Sequence, residues 1–435
     1  MTTRRADRSH AVPAVLPPLR STAIEAGLAA LVSAALALLV MAPVLSSLNS
    51  AWFTADMLSQ YVTSQTWSWW SFAPTDHYGF PMGLDYNYWP NGDLVENVFT
   101  HAVSALSGSP FTGVNLLILV SFPVAAALAA VLLRLVRMGG PLAVVLAVVI
   151  SMLPYHWARA LIHTYLSTTV SMLTGLILVI LIASGRIPVL LGGPTRGRRL
   201  AGWCALLALL MATAWMGVYY AVFSVLLGIA ALAWRFLKGD HWTRMVRDAA
   251  VVLSLVLLAM VPQALLVVSR TQGPLSEGVA ERGVFHSYYL AGSLFNALLP
   301  WPQSVFTGYN DWVAAWLKGA PPYESIGAGS FGTLVTSGCL AVFLLGLARR
   351  ARRGRPVSPP DASGTTPGLI GWLIAATLAF FIPWGLNIAF AISVSPAIRS
   401  WNRLLPALLT LFVLGAATII RNRLSSGRAA LWIAV

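Results

Sequence analysis

RLAGWCALLALLMATAWMGVYYAVFSVLLGIAALAWRF, running from Arg199 to Phe236, decides how this chain is organised. At about 1.5 Å per residue, one helix of that length would be nearly twice as long as the ~30 Å hydrocarbon layer of a bilayer. The stretch therefore reads as two helices that reverse direction at Trp215-Met216-Gly217. Shorter apolar runs flank it, near 26–46, 112–135, 140–154, 164–184, 249–268, 329–347, 368–390 and 402–420. With the hairpin split, the chain has about ten spans. The expected fold is all-α, a polytopic transmembrane helical bundle.

Composition supports that class. Of the 435 residues, 57% are hydrophobic and only 10% charged, against roughly 25% charged in soluble domains. Mean hydropathy is +0.75. The net charge of +14 does not imply nucleic acid, because the basic residues sit in short clusters between apolar runs. Cys204 and Cys339 fall inside apolar segments and form neither a disulfide framework nor a metal-ligand spacing.

Charge placement tests the hairpin. With the N-terminus cytoplasmic, 22 of the 28 basic residues fall on the inner side, and every alternate loop obeys the positive-inside rule. Omitting the break at 215–217 would invert everything after it. Nine of the fourteen acids fall on the other side: Asp56, Asp76, Asp85, Asp93, Glu96, Glu277, Glu281, Asp311 and Glu324. The expected organisation is a basic cytoplasmic tail over 1–21 and a membrane domain over 22–348, with long outer loops at 47–111 and 269–328. A cytoplasmic linker follows at 349–367, then membrane helices over 368–435. Ala429–Val435 reads as the start of a further span. The first apolar run is long enough to stay as a signal anchor in a bacterial plasma membrane.

Long loops carry function or are disordered, and these are rich in Trp, Tyr, Gly and Pro, so function is expected to face outward. Asp56 lies just past the first span, where partial desolvation would raise its basicity. It suits a general base, and equally the cap of a short loop helix. Asp93 and Glu96 share a face if their segment is helical, with His101 one or two turns on. Gly92-Asp93 also resembles a helix start. Asp56, Asp93, Glu96 and His101 together leave a divalent metal open as a cofactor, with no specific spacing to demand it. Asp85 lies among the tyrosines and tryptophans of the first loop, which read either as an interfacial belt or as sugar-stacking faces. His156, Arg159 and His163 recur at i, i+3 and i+7, one helical stripe expected to face an outer cavity. Arg399 and Arg403, at i and i+4, are expected to point the same way and hold a phosphate, either of a substrate or of a lipid headgroup. Glu324 is a further acid at a span entry.

Taken in order, Gly79 to Glu96, Gly113-Val114-Asn115-Leu116, Pro154 to Leu166, Trp215 to Tyr220, Tyr323 to Gly327 and Ile398 to Arg403 resemble segments of bacterial GT-C superfamily membrane glycosyltransferases, in particular the YfhO-like membrane proteins. The resemblance implies transfer of a sugar from a polyprenyl-phosphate carrier to a glycan or lipid acceptor on the outer face. It places the superfamily's first-loop acid on Asp56 as base, although the paired acids frequent there are absent: Asp56 stands between Ala55 and Met57. Membrane lipids would be partners, and nucleic acid would not. A lipid-linked sugar transporter or flippase, or a non-catalytic envelope-assembly protein, are the alternatives. A transporter would place charges near span centres, where this chain has almost none.

Overall fold

The computed structural model describes residues 16–52, 61, 93–162, 169–268, 283–294, 330–352 and 365–424, with isolated positions between 297 and 315. Asp56, Asp85, His163 and Glu324, and most of the two long loops and the linker, lie outside the described residues.

All the regular elements among the described residues are helices. In chain order they are α1 (Leu19–Met41), α2 (Leu94–Ser107), α3 (Pro110–Leu135), α4 (Pro141–Ser151), α5 (Pro154–Ile162), α6 (Thr169–Ala183), α7 (Ile187–Leu191), α8 (Arg196–Trp215), α9 (Val218–Leu237) and α10 (Trp242–Val268). After these come α11 (Phe285–Tyr289), α12 (Ser330–Arg352), α13 (Pro367–Phe381), α14 (Leu386–Ser393) and α15 (Leu405–Leu424), with short 3-10 turns at Ala42–Ser47 and Trp401–Leu404. Several begin at a proline, whose missing N–H costs nothing in the first helical turn.

The Arg199–Phe236 stretch is indeed two helices. α8 ends at Trp215, and Gly217 takes φ +145°, a backbone state that a side chain would strain. A Cβ there would also stand 3.1 Å from the Tyr220 ring, so the turn and the start of α9 need glycine twice over.

Six helical stretches among the described residues are long and apolar enough to cross a bilayer: Leu19–Ser47, Pro110–Leu135, Pro141–Ala160, Val218–Leu237, Met245–Pro262 and Trp401–Arg421. The bent pair α13–α14, kinked by 60°, makes a seventh if it counts as one span. The remaining expected spans are shorter or more charged. α6 has 15 residues. α8 opens with Arg196, Arg198 and Arg199, which shortens its apolar length.

Burial explains the arrangement. Every residue of α6 is buried, and so is 94% of an 18-residue window of the Trp401–Arg421 span. These two helices are apolar all round and form the centre. α1 and α10 sit outside and expose Leu31, Leu39, Leu253 and Leu257. In water such faces would be a liability; against lipid tails they are the expected surface.

Candidate functional site

α2 is amphipathic with its polar face turned inward. Asp93, Glu96, Asn97, Thr100, His101 and Ser104 follow the 3–4 residue spacing of one helical stripe. Glu96, Asn97, Thr100 and Ser104 are buried, whereas Val98 and Leu106 on the other side are exposed, Leu106 at 89%. A helix lying between lipid and a polar interior would be patterned in this way. Gly113 lets α2 approach α3, since a Cβ there would collide with the Thr100 carbonyl and Ser104 Oγ. Asp93 occupies the N-cap position, but its side chain accepts no capping hydrogen bond.

α5 supplies Tyr155 and Arg159, both buried, with the guanidinium 5.6 Å from the Tyr155 ring centroid. His156 does not face a cavity. It is fully buried, stacks on Phe122 at 4.0 Å, donates through Nδ1 to the Ser151 carbonyl (2.8 Å), and has Nε2 2.8 Å from Ser121 Oγ. With both ring nitrogens engaged, it holds α3, α4 and α5 together.

Arg403 comes from the far end of the chain. The 3-10 turn Trp401–Leu404 is anchored by Trp401, fully buried among Phe223, Phe380 and Phe390 with ring centroids 5.4–5.5 Å away. The Asn402 amide N–H donates to the Leu290 carbonyl (3.0 Å), and Ser287 Oγ to that of Ile398 (3.4 Å). So fixed, the Arg403 guanidinium lies over the Tyr219 ring at 4.2 Å and is 6% exposed. Residues 395–400 are not helical, so Arg399 and Arg403 do not share a helix face as expected. Arg399 stays half-buried and forms no ion pair among the described residues.

These parts converge. The Arg403 and Arg159 charges both act on Tyr220, whose hydroxyl neighbours that of Tyr155, and Arg403 also acts on Asp93. Asp93 as a residue is half-buried, yet its Oδ1 is closed to solvent. Burial pushes its carboxyl from 3.8 up to about 7, against the opposing pull of Arg403. The side-chain amides of Asn97 and Asn402 are buried with no hydrogen-bond partner at either end. Hydrogen bonds of buried amides are costly to leave unmade, so each of these side chains is suited to a polar partner. His101 is half-buried on the same stripe of α2. Among the described residues, no three His, Cys, Asp or Glu side chains are grouped to hold a metal ion.

Tyr155, Tyr219, Tyr220, Asn97 and Asn402 were not singled out from sequence. For Asn97 a signal existed, because it continues the Asp93–Glu96 stripe. For the tyrosines none did, since an interfacial belt uses the same residue type.

The raised Asp93 pKa predicts how stability responds to pH. The folded state holds its proton to a higher pH than the unfolded chain, so it binds more protons between about 3.8 and 7. Stability should therefore fall as pH rises across that window and level off above it. Thermal unfolding of Asp93→Asn in lipid should lose this slope between pH 5 and 7; an unchanged slope would place the titrating group elsewhere.

Compared with family models, curated proteins and solved structures, the chain gives no significant match.

Proposed function

We propose that this chain is a membrane glycosyltransferase that moves a sugar from a polyprenyl-phosphate carrier to an extracytoplasmic acceptor. On this reading it crosses a bacterial plasma membrane about ten times, with its N-terminus in the cytoplasm. The observation that carries the reading is that two buried guanidiniums far apart in sequence, Arg159 and Arg403, both act on Tyr220, and that Arg403 also acts on the Asp93 carboxyl. The exposed apolar side of α2, with Val98 and Leu106, is where on this reading a carrier's tail would remain in the bilayer.

The chemistry follows from those groups. As the acceptor oxygen bonds to the anomeric carbon, the carbon–oxygen bond to phosphate breaks and its electron pair leaves with the polyprenyl phosphate. Guanidiniums beside that phosphate stabilise the charge as it develops. A carboxylate takes the acceptor's hydroxyl proton, and a pKa near 7 matches that task at neutral pH. Attack opposite the leaving phosphate inverts the anomeric centre. The resemblance assigns the base to Asp56; the surroundings of Asp93 support it for the same role.

The test uses the full chain in lipid, radiolabelled polyprenyl-phosphate sugars and envelope acceptors. Transfer should rise through about pH 7. Asp93→Asn should lower it roughly 100-fold or more and flatten that rise. Loss confined to Asp56→Ala would move the base to Asp56 and keep the reaction class. No transfer from any donor, or full transfer in both variants, would sink the proposal.

A further inference from the structure

At the end of the bundle where α1 begins, three helices finish with the same hydrogen-bond pattern. The N–H two residues past the cap reaches back to the third-last helical carbonyl: Met138 to Leu133 (2.9 Å) in α3, Arg186 to Leu181 (2.8 Å) in α6, and Asp240 to Arg235 (3.1 Å) in α9. This closure needs a left-handed residue, normally glycine. α6 uses Gly185 (φ +64°) and α9 uses Gly239 (φ +74°). α3 uses Arg137, at φ +62°, although Gly139 and Gly140 follow at once. A non-glycine held in that region is strained, and such strain recurs where a side chain serves a purpose.

Arg137 lines a cavity of about 330 Å³ together with Arg134, Arg186, Leu16, Pro17 and Pro18. That volume is in the lower part of the ~300–1,000 Å³ range of small-ligand sites. Among the described residues, its charged lining is cationic. Arg134 is matched by Glu25, which it grips with both Nε and Nη2, and Glu25 also accepts from the Gly140 N–H (2.7 Å). Arg186 is 1% exposed and is oriented by its Nη1 donating to the Leu135 carbonyl (2.8 Å). Arg137 is exposed and forms no ion pair among the described residues. Beside this wall, Leu19 and Ile24 of α1 are exposed at 80% and 55%. A rigid cationic recess next to a lipid-facing apolar strip matches a phosphate carried on an acyl chain.

We propose that this recess binds a phosphate-bearing anion of the kind presented by an acidic phospholipid headgroup, with Arg137 and Arg186 as its donors. Basic recesses between membrane helices hold such headgroups by charge and fork geometry together. The site is separate from the one around Asp93 and does not depend on the glycosyltransferase reading.

The test compares the full chain in nanodiscs of pure phosphatidylcholine, of phosphatidylcholine with phosphatidylglycerol, and of pure phosphatidylcholine with added inorganic phosphate. Native mass spectrometry reads retained lipid, and thermal unfolding reads stabilisation. The informative variant is Arg137→Gly, which removes the guanidinium and relieves the backbone at once. In phosphatidylcholine alone it should raise Tm. In phosphatidylglycerol discs it should retain the acidic lipid roughly fivefold more weakly and lose the stabilisation that lipid confers. Stabilisation by inorganic phosphate in neutral discs, with no preference for phosphatidylglycerol, would assign the recess to a soluble phosphate, the same chemistry from a different source. If Arg137→Gly raises Tm equally in all three and leaves lipid retention unchanged, Arg137 is a helix terminator alone and the proposal is overturned.

Discussion

If the chain is the glycosyltransferase proposed above, Arg403→Ala is expected to reduce sugar transfer by about 100- to 1,000-fold, the loss typical of one donor aimed at developing charge. Three features make this residue the centre of the site. Its guanidinium is 6% exposed, it lies 4.2 Å from the Tyr219 ring centroid, and it is the charge that acts on both Asp93 and Tyr220. Removing it also withdraws a pull that holds the Asp93 carboxyl down against burial, so the rate profile should shift to a midpoint above about 7. Arg403→Lys keeps the charge but loses the planar fork that stacks on Tyr219 and, on the proposed reading, would grip phosphate through two bonds; partial recovery is expected. Initial rates against pH in lipid, with thermal unfolding alongside, separate chemistry from packing. A variant that loses stability but keeps both its rate and its pH midpoint would make Arg403 a packing residue for Tyr219.

The helical class and the break at Trp215-Met216-Gly217 were legible because length and charge constrain them directly. An apolar run too long for one span must turn, and the basic clusters register each turn. The polar stripe of α2 was legible in part, through the spacing of Asp93, Glu96 and His101. What escaped the sequence was direction. In a membrane bundle both the lipid face and the core are apolar, so a polar residue such as His156 reports that it points inward without saying onto what. Here it meets Ser121, Ser151 and Phe122 rather than a cavity. Arg399 and Arg403 were misread for another reason. Their i, i+4 spacing implies one face only inside a helix, and Arg399 precedes the first helical turn, which begins at Trp401. The site itself depends on Tyr219 and Tyr220 in α9 meeting residues of α5 and the 401–404 turn, and no local pattern encodes such long-range meetings.

Asp248→Ala should be the most destabilising single change in the bundle, at roughly 3–5 kcal/mol, because it strands a buried guanidinium. Arg235 of α9 is 5% exposed and pairs with Asp248 of α10, which is fully buried, and with Asp240 in the turn between those helices. It also donates to the Ile182 carbonyl at the end of α6 (3.2 Å), so one side chain ties three helices. With Asp248 gone, Asp240 alone remains, and its side chain is 27% exposed and therefore a weaker partner. The size of the loss reflects a buried charge left with a single, partly exposed partner more than the attraction to Asp248 itself. The double change Arg235→Met with Asp248→Leu, which removes both charges and keeps apolar volume, should therefore recover most of the stability that Asp248→Ala loses. Asp240 would then be left to water, which its exposure permits. Unfolding in lipid, measured for the wild type, Arg235→Met, Asp248→Leu and the double, closes the cycle, with Asp248→Ala measured alongside. A double variant no more stable than Asp248→Ala would show that the pair's specific geometry, rather than relief of a stranded charge, holds α9 against α10.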